Sequence, residues 1–458
     1  MKKTYPVEIA DLKEDVFYYP RGFGEMENIN HIWYGQHSCN AIMKENPHDQ
    51  EKAILSQTLA ETIQFTESDI PLHLFTYQDS IHIGPLVGIF TSGITPNLQK
   101  PVGERSSFFA KLLSLNKTTG CIPFLFGEHQ IDWETETIKG YIFRNKRWDI
   151  RDFPFPNVVY DRLPNRRTEN RTGPKEVKRR FQDEYSIPWY NPGFFNKWDI
   201  HERLSDEDDA VPYLPETYPF RSLSAIETLL SKFRQVYIKP IYGSLGLGIH
   251  QILYDKNENV YYCRYKDDQK INKLTRFPSL EHLFNHIFKH KRLHNMIIQQ
   301  GIALITSNRR PIDFRVHTNK NHNGDWQVTA IAAKVAGAGS VTTHVNSGGQ
   351  VRTIEELFPD NDMAVTVQEE LSNAALILSK SIDRRIDGVI AEIGFDFGLD
   401  KQGHVWMFEA NSKPGRSIFS HPKLREFEVL TRQLCLEYAV FLAEQSLQSS
   451  GEVVNENL

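Results

Sequence analysis

Residues 392–415 read EIGFDFGLDKQGHVWMFEANSKPG, two apolar runs, IGFDFGL and HVWMFEA, joined by the turn Asp400-Lys401-Gln402-Gly403. Apolar runs bounded by turn residues read as paired β-strands. Pairing through that turn brings Asp396 near Glu409, and the two-residue period of a strand turns Glu409 and Asn411 to one face. Two carboxylates and a carboxamide are hard oxygen donors. They are too few to enclose calcium but suit magnesium, which keeps several waters and completes its shell with substrate phosphates. The plainer alternative is a pair of solvated hairpin residues.

Working outward, residues 236–255 read VYIKPIYGSLGLGIHQILYD. An apolar strand ends at Lys239, a glycine-rich loop runs from Gly243 to Gly248, and a second apolar run, IHQIL, follows. Glycines at Gly243, Gly246 and Gly248 remove the Cβ atoms that would stop backbone N–H groups from closing over a phosphate. A dinucleotide fingerprint or a P-loop requires a helix after the glycines, and the P-loop also requires Gly-Lys-Ser/Thr. A strand follows here, which predicts a hairpin flap. The plainer alternative for the loop taken alone is an ordinary glycine hairpin.

In this order the two motifs resemble the ATP-grasp superfamily: a lysine before a glycine-rich flap, then an Asp and a Glu-x-Asn on paired strands. The resemblance extends over residues 190 to 446 and implies the site. FFNKWDIHERL places Lys197 at the family's entry segment, and Lys239, Gly243, Ser244, Gly246 and Gly248 would hold nucleotide phosphates. NMIIQQGIAL resembles the hinge strand, where backbone groups near Gln299, Gln300 and Ile302 would meet the adenine edge. IDFRVHTN and VTAIAAKVAG carry Asp313, Arg315 and Lys334 toward the transferred phosphoryl group, and HVNSGG brings Asn346 to the same pocket. Asp396, Glu409 and Asn411 would hold magnesium, with manganese as a substitute.

Upstream, GPLVGIFTSG and FPFPNVVYDRLPNRR are similar to the endospore coat-associated family called YheC/YheD. Together these likenesses imply a multidomain α/β fold of ATP-grasp type and an ATP- and magnesium-dependent ligase. It would join a carboxylate to an amine through an acyl phosphate, in the cytoplasm and in association with the endospore coat. Its partners would be ATP, an unidentified small-molecule or peptide substrate, and coat components. A kinase acting on a hydroxyl, and a nucleotide-binding coat protein without catalysis, stay open as alternatives.

The rest of the chain supplies the setting. A formal charge of −5 on 458 residues, 40% hydrophobic and 24% charged, is ordinary for a soluble protein and gives no general attraction to nucleic acid or membrane. The start, MKKTYPVEIADLKED, lacks the apolar stretch of a signal peptide, and no run is long enough for a membrane-spanning helix. Cys39, Cys121, Cys263 and Cys435 are too scattered for a metal site and are expected as reduced thiols.

Residues 1–75 are expected to form a small β-containing domain, with HIWYGQHSCNAIM as one strand and AILSQTLAETI as a helix. The pattern changes from His73, and residues 76–190 should form an α/β layer; LHLFTY, at the boundary, and GPLVGIFT resemble buried parallel strands. Residues 191–446 would form the grasp module, with lobes of about 191–300 and 301–446, and 447–458 a polar, frayed tail. Gly84, Pro85 and Gly88 could admit a ligand or serve packing. The basic run RLPNRRTENRTGPKEVKRR, residues 162–180, is either a solvated face or a border of the cleft. In SLSAIETLLSKF, Ser224 and Glu227 have capping-box spacing. The substrate is expected where the grasp module faces the α/β layer.

Overall fold

Among the described residues, four β-sheets each bury an apolar face, and helices cover those faces. The computed structural model describes residues 3–455 except 25, 27, 49–50, 67–69, 244–245, 270, 290, 341 and 344–347. The fold is α/β and multidomain, and no described helix is long and apolar enough to cross a membrane.

The first sheet has eight strands, drawn from Tyr5–Ala10 through Ser80–Gly84. In the second, Ile122–Phe126, Leu86–Phe90 and Val158–Asp161 run parallel. Every residue of these strands is buried, as parallel strands covered on both faces require. The third sheet is antiparallel, with Gln235–Pro240 between Met296–Gln300 and His250–Asp255. Helices Leu223–Phe233 and Leu280–Ile287 pack on it through Ile226, Leu230, Leu283 and Phe284. In the fourth, Arg310–Lys320 lies between Trp326–Val335 and Glu392–Leu399, and the latter pairs with Val405–Asn411. Helix Asn361–Arg385 covers its apolar face through Leu371, Ala374 and Leu378. The last helix, Arg425–Asn455, sets Cys435, Leu436 and Ala439 against Val87, Ile89 and Tyr160, joining the second sheet to the fourth.

Several local expectations are corrected. HIWYGQHSCNAIM holds three strands rather than one, because Gly35 turns the chain between His31–Tyr34 and His37–Asn40 and Ile42–Glu45 follows. AILSQTLAETI begins as strand Ala53–Ser56, and its helix starts only at Gln57, capped by Ser56. LHLFTY lies in the first sheet, antiparallel to Ser80–Gly84 and Tyr5–Ala10. Its apolar run signals burial but not the direction of its neighbours. Ser222, not Ser224, caps helix Leu223–Phe233 by accepting from the Ala225 N–H. Helix Arg425–Asn455 continues through most of the stretch expected to fray. A Cβ at Gly88 would lie 2.7 Å from Phe126 and 3.0 Å from Pro156, so packing accounts for this glycine.

Candidate active site

Strand register builds the centre of the site. Asp396 stands opposite Glu409 on one side and Arg315 on the other, while Asp313 stands opposite Lys334. The hairpin slips by one residue between Asp396 and Phe397, so regular pairing resumes at Phe397 and Met407. Gly394 lies opposite Asn411, whose side-chain amide donates to the Gly394 carbonyl at 3.4 Å. A Cβ on Gly394 would meet Pro414 at 2.4 Å and the Arg315 guanidinium at 3.2 Å. Glycine is therefore what makes room for Pro414, with the Arg315 guanidinium close beside it.

Cations hold the carboxylates. Arg315 donates through Nε and a terminal nitrogen to the two Asp396 oxygens at 3.0 and 2.9 Å. Lys334 Nζ lies 2.8 Å from Asp396 and 3.0 Å from Asp313. Burial raises the Asp396 carboxyl, but Arg315 and Lys334 overcome it and hold the group well below the usual carboxylate range. Asp313, more dependent on Lys334 alone, is pushed up by burial and also accepts from the Thr343 hydroxyl. Lys197 donates to Glu409 and to the Gly243 carbonyl.

The flap has the expected hairpin form, its strands Gln235–Pro240 and His250–Asp255 antiparallel. Gly246 and Gly248 have φ of +69° and +73°, the left-handed region that favours glycine. Lys239 is buried at the end of the first flap strand, donates to the Gln299 side chain, and sits 5.4 Å from the Tyr237 and Phe408 ring centres. Burial lowers its pKa to about 8, against the pull of Glu409.

Two cavities meet at this cluster. One, of about 150 Å³, lies under the flap and is lined by Lys239, Gln299, Ile302, Leu304 and Phe408 among others. The second, of about 830 Å³, extends toward the second sheet between Asn165–Arg167, Phe194 and the Lys413–Arg416 segment. Gly246, Lys334, Asp396 and Glu409 line both.

Lys239, Arg315, Lys334, Asp396, Glu409 and Asn411 thus come together, with Lys197, Gly243 and Gly246 beside them. Gln299 and Ile302 line the smaller cavity, but Ile302 already spends its carbonyl on the Gln235 side-chain amide at 3.1 Å. The Gln300 backbone N–H donates to the Glu216 carbonyl, and its side-chain oxygen accepts from the Glu216 N–H. Ser244 and Asn346 lie outside the described residues. No three His, Cys, Asp or Glu side chains converge as a metal cluster among the described residues. The pair of carboxylates with Asn411 nevertheless has the hard-donor chemistry of a site that shares magnesium with phosphates.

Sequence reasoning missed Lys413, Arg416 and Phe194, which line the larger cavity. The run Lys413-Pro414-Gly415-Arg416, directly after Asn411, was the available signal. The basic run 162–180 divides. Arg166 and Arg167 border the larger cavity, Arg162 is turned inward to Glu392, and Arg179 and Arg180 pair with Glu176 and Glu184 on an exposed helix.

A family model described as YheC/D like ATP-grasp matches residues 186–442. Over 450 residues, 98% of each chain, the sequence is 40% identical to the endospore coat-associated protein YheD of Bacillus subtilis (strain 168). It is 24% identical to the endospore coat-associated protein YheC of the same strain, over 64% of this chain and 80% of that one. Among solved structures, the D-alanine–D-alanine ligase from Bacillus anthracis superposes with a TM-score of 0.45 at 11% identity, over 81% of this chain and 99% of that one.

Proposed function

The chain belongs to the YheC/D-like ATP-grasp family, and on that premise we propose that it is an ATP- and magnesium-dependent ligase joining a carboxylate to an amine. The observation that carries this reading is the wall of Gly246, Lys334, Asp396 and Glu409 shared by the two cavities. A nucleotide in the smaller cavity and an acceptor in the larger would exchange a phosphoryl group across it.

An attacking carboxylate is repelled by the triphosphate until positive charge intervenes. Lys239 meets the phosphates from the flap strand, and Arg315, Lys334 and Lys197 turn from Asp396 and Glu409 toward phosphate oxygens as nucleotide arrives. Asp396, Glu409 and Asn411 would hold magnesium, which would supply further neutralisation of phosphate charge. The glycine flap excludes water from the transfer.

The acceptor carboxylate oxygen attacks the γ-phosphorus, forming one P–O bond as the bond to the β-phosphate oxygen breaks and ADP leaves. An amine then attacks the acyl carbon. The C–N bond forms, inorganic phosphate departs, and the amine gives up a proton. YheD is described as endospore coat-associated, and we carry that setting over to this chain.

Hydroxylamine trapping tests the reading. With ATP, magnesium and a panel of carboxylic acids, an acyl phosphate yields a hydroxamate together with ADP. ADP release on a hydroxyl acceptor, with no hydroxamate from any acid, would replace the ligase by a kinase.

A further inference from the structure

The charges around the two cavities differ in a way the phosphoryl-transfer cluster does not account for. Around the smaller cavity the cations Lys239, Arg264 and Lys334 are matched by Asp313, Asp396 and Glu409. The larger is lined by Arg166, Arg167, Arg315, Lys334, Lys413 and Arg416 against only Asp396 and Glu409. Part of this excess is answered from behind. Lys413 Nζ lies 2.6 Å from Asp161, and Arg416 lies 2.6 Å from Glu392. Arg315 and Lys334 belong to the transfer cluster.

Arg166 and Arg167 remain. The terminal nitrogens of Arg166 donate to the carbonyls of Tyr242 and Phe195 at 3.3 and 2.5 Å, and its guanidinium lies 5.4 Å from the Phe194 ring centre. Those contacts fix its position but leave its charge without a carboxylate partner among the described residues. Arg167 is exposed and makes no ion pair among the described residues. The aromatic walls of Phe194, Phe195 and Tyr242 lie in the same cavity. Guanidinium groups are suited to bidentate capture of carboxylates, and aromatic walls to apolar stems.

We propose that Arg166 and Arg167 form an anion subsite for the acceptor, and that the acceptor is a polycarboxylate carrying a carboxylate beyond the one that is activated. This rests on the ligase reading for which cavity is the acceptor's. At about 830 Å³, the cavity lies within the range of roughly 300–1,000 Å³ for small-molecule sites, and hexaglutamate is a probe of repeated carboxylates. Arg166 acts as a positioning residue that ties the flap base at Tyr242 to the subsite, and Arg167 supplies the unpaired charge.

The test is titration of the nucleotide-free full chain with hexaglutamate, beside hexaglutamine, at fixed moderate salt. Hexaglutamate should bind and hexaglutamine should not. Arg167→Ala should weaken hexaglutamate about tenfold, the scale of losing one charge-assisted contact, with Arg167→Lys recovering part of the loss. Arg179→Ala, on the same basic run but outside the cavity, should leave binding unchanged. Equal binding of both peptides, an unaffected Arg167→Ala, or an equal loss in Arg179→Ala would overturn the subsite. ATP-analogue binding, measured separately on Arg167→Ala, should match the unaltered chain. Loss of analogue binding by the unaltered chain would count against the ligase reading while the peptide titration still judged the subsite.

Discussion

Lys197 Nζ lies 2.8 Å from Glu409 Oε1, and the same ammonium donates to the Gly243 carbonyl at 2.7 Å. One side chain from the entry helix Lys197–Leu204 thus ties the base of the flap to a carboxylate on the last strand of the fourth sheet.

Removing that tie should loosen the flap more than the fold. Lys197→Met is expected to weaken binding of a non-hydrolysable ATP analogue by about tenfold or more, the consequence of losing a charged hydrogen bond of about 1.5–3 kcal/mol. Calorimetric titration checks this, with urea unfolding run beside it. Undiminished affinity in a folded variant would remove Lys197 from the nucleotide site.

A pH dependence follows from Lys239. Burial lowers its pKa to about 8, so the ammonium is already charged below that value and neutral above it. Phosphate binding favours the charged form, so above about 8 binding must take up a proton and affinity should fall by up to about tenfold per pH unit. Affinity measured at several pH values across this point, with buffers of different ionisation heat, reads both effects. In Lys239→Met this component should vanish, leaving only the titration of the nucleotide itself.

At the centre of the site, Asp396 answers the buried Lys334 and the half-buried Arg315. Asp396→Asn should abolish magnesium-dependent turnover and lower unfolding free energy by about 3 kcal/mol, because Arg315 and Lys334 lose their common counter-charge. Both can be read on one preparation, by turnover and by urea unfolding. Full stability would mean that solvent or Glu409 replaces it.

A fourth expectation concerns the junction between the second and fourth sheets. Glu392 is fully buried, 2.6 Å from Arg416 and 3.2 Å from Arg162, and accepts from the Tyr160 hydroxyl at 3.0 Å. Glu392→Gln removes a fully buried counter-charge from two half-buried guanidinium groups and should cost about 3 kcal/mol. Thermal unfolding should show a clear drop in Tm, and an unchanged Tm would show that these charges are solvated.

What the sequence made legible is what local pattern determines. The turn at Asp400–Gly403 ties the two strands closely enough to place Asp396 against Glu409, and the strand after Gly248 distinguishes a flap from a P-loop. The pairs Lys197–Glu409 and Arg162–Glu392 join residues more than 200 positions apart, and no periodicity reports them. The same limit explains LHLFTY: its residues announce burial, whereas its antiparallel neighbours are chosen by tertiary packing. In the basic run, charge density alone did not separate Arg167 at the cavity from Arg179 on a solvated helix. Their partners do.

Calorimetric titration decides whether nucleotide binds between flap and hairpin with magnesium on the hairpin carboxylates. The full chain would be titrated with a non-hydrolysable ATP analogue, with and without magnesium, beside Glu409→Gln. Magnesium should strengthen binding to the unaltered chain and should no longer do so in the folded variant. Absence of binding at protein concentrations of tens of micromolar, or an equal magnesium effect in the variant, would contradict that binding mode.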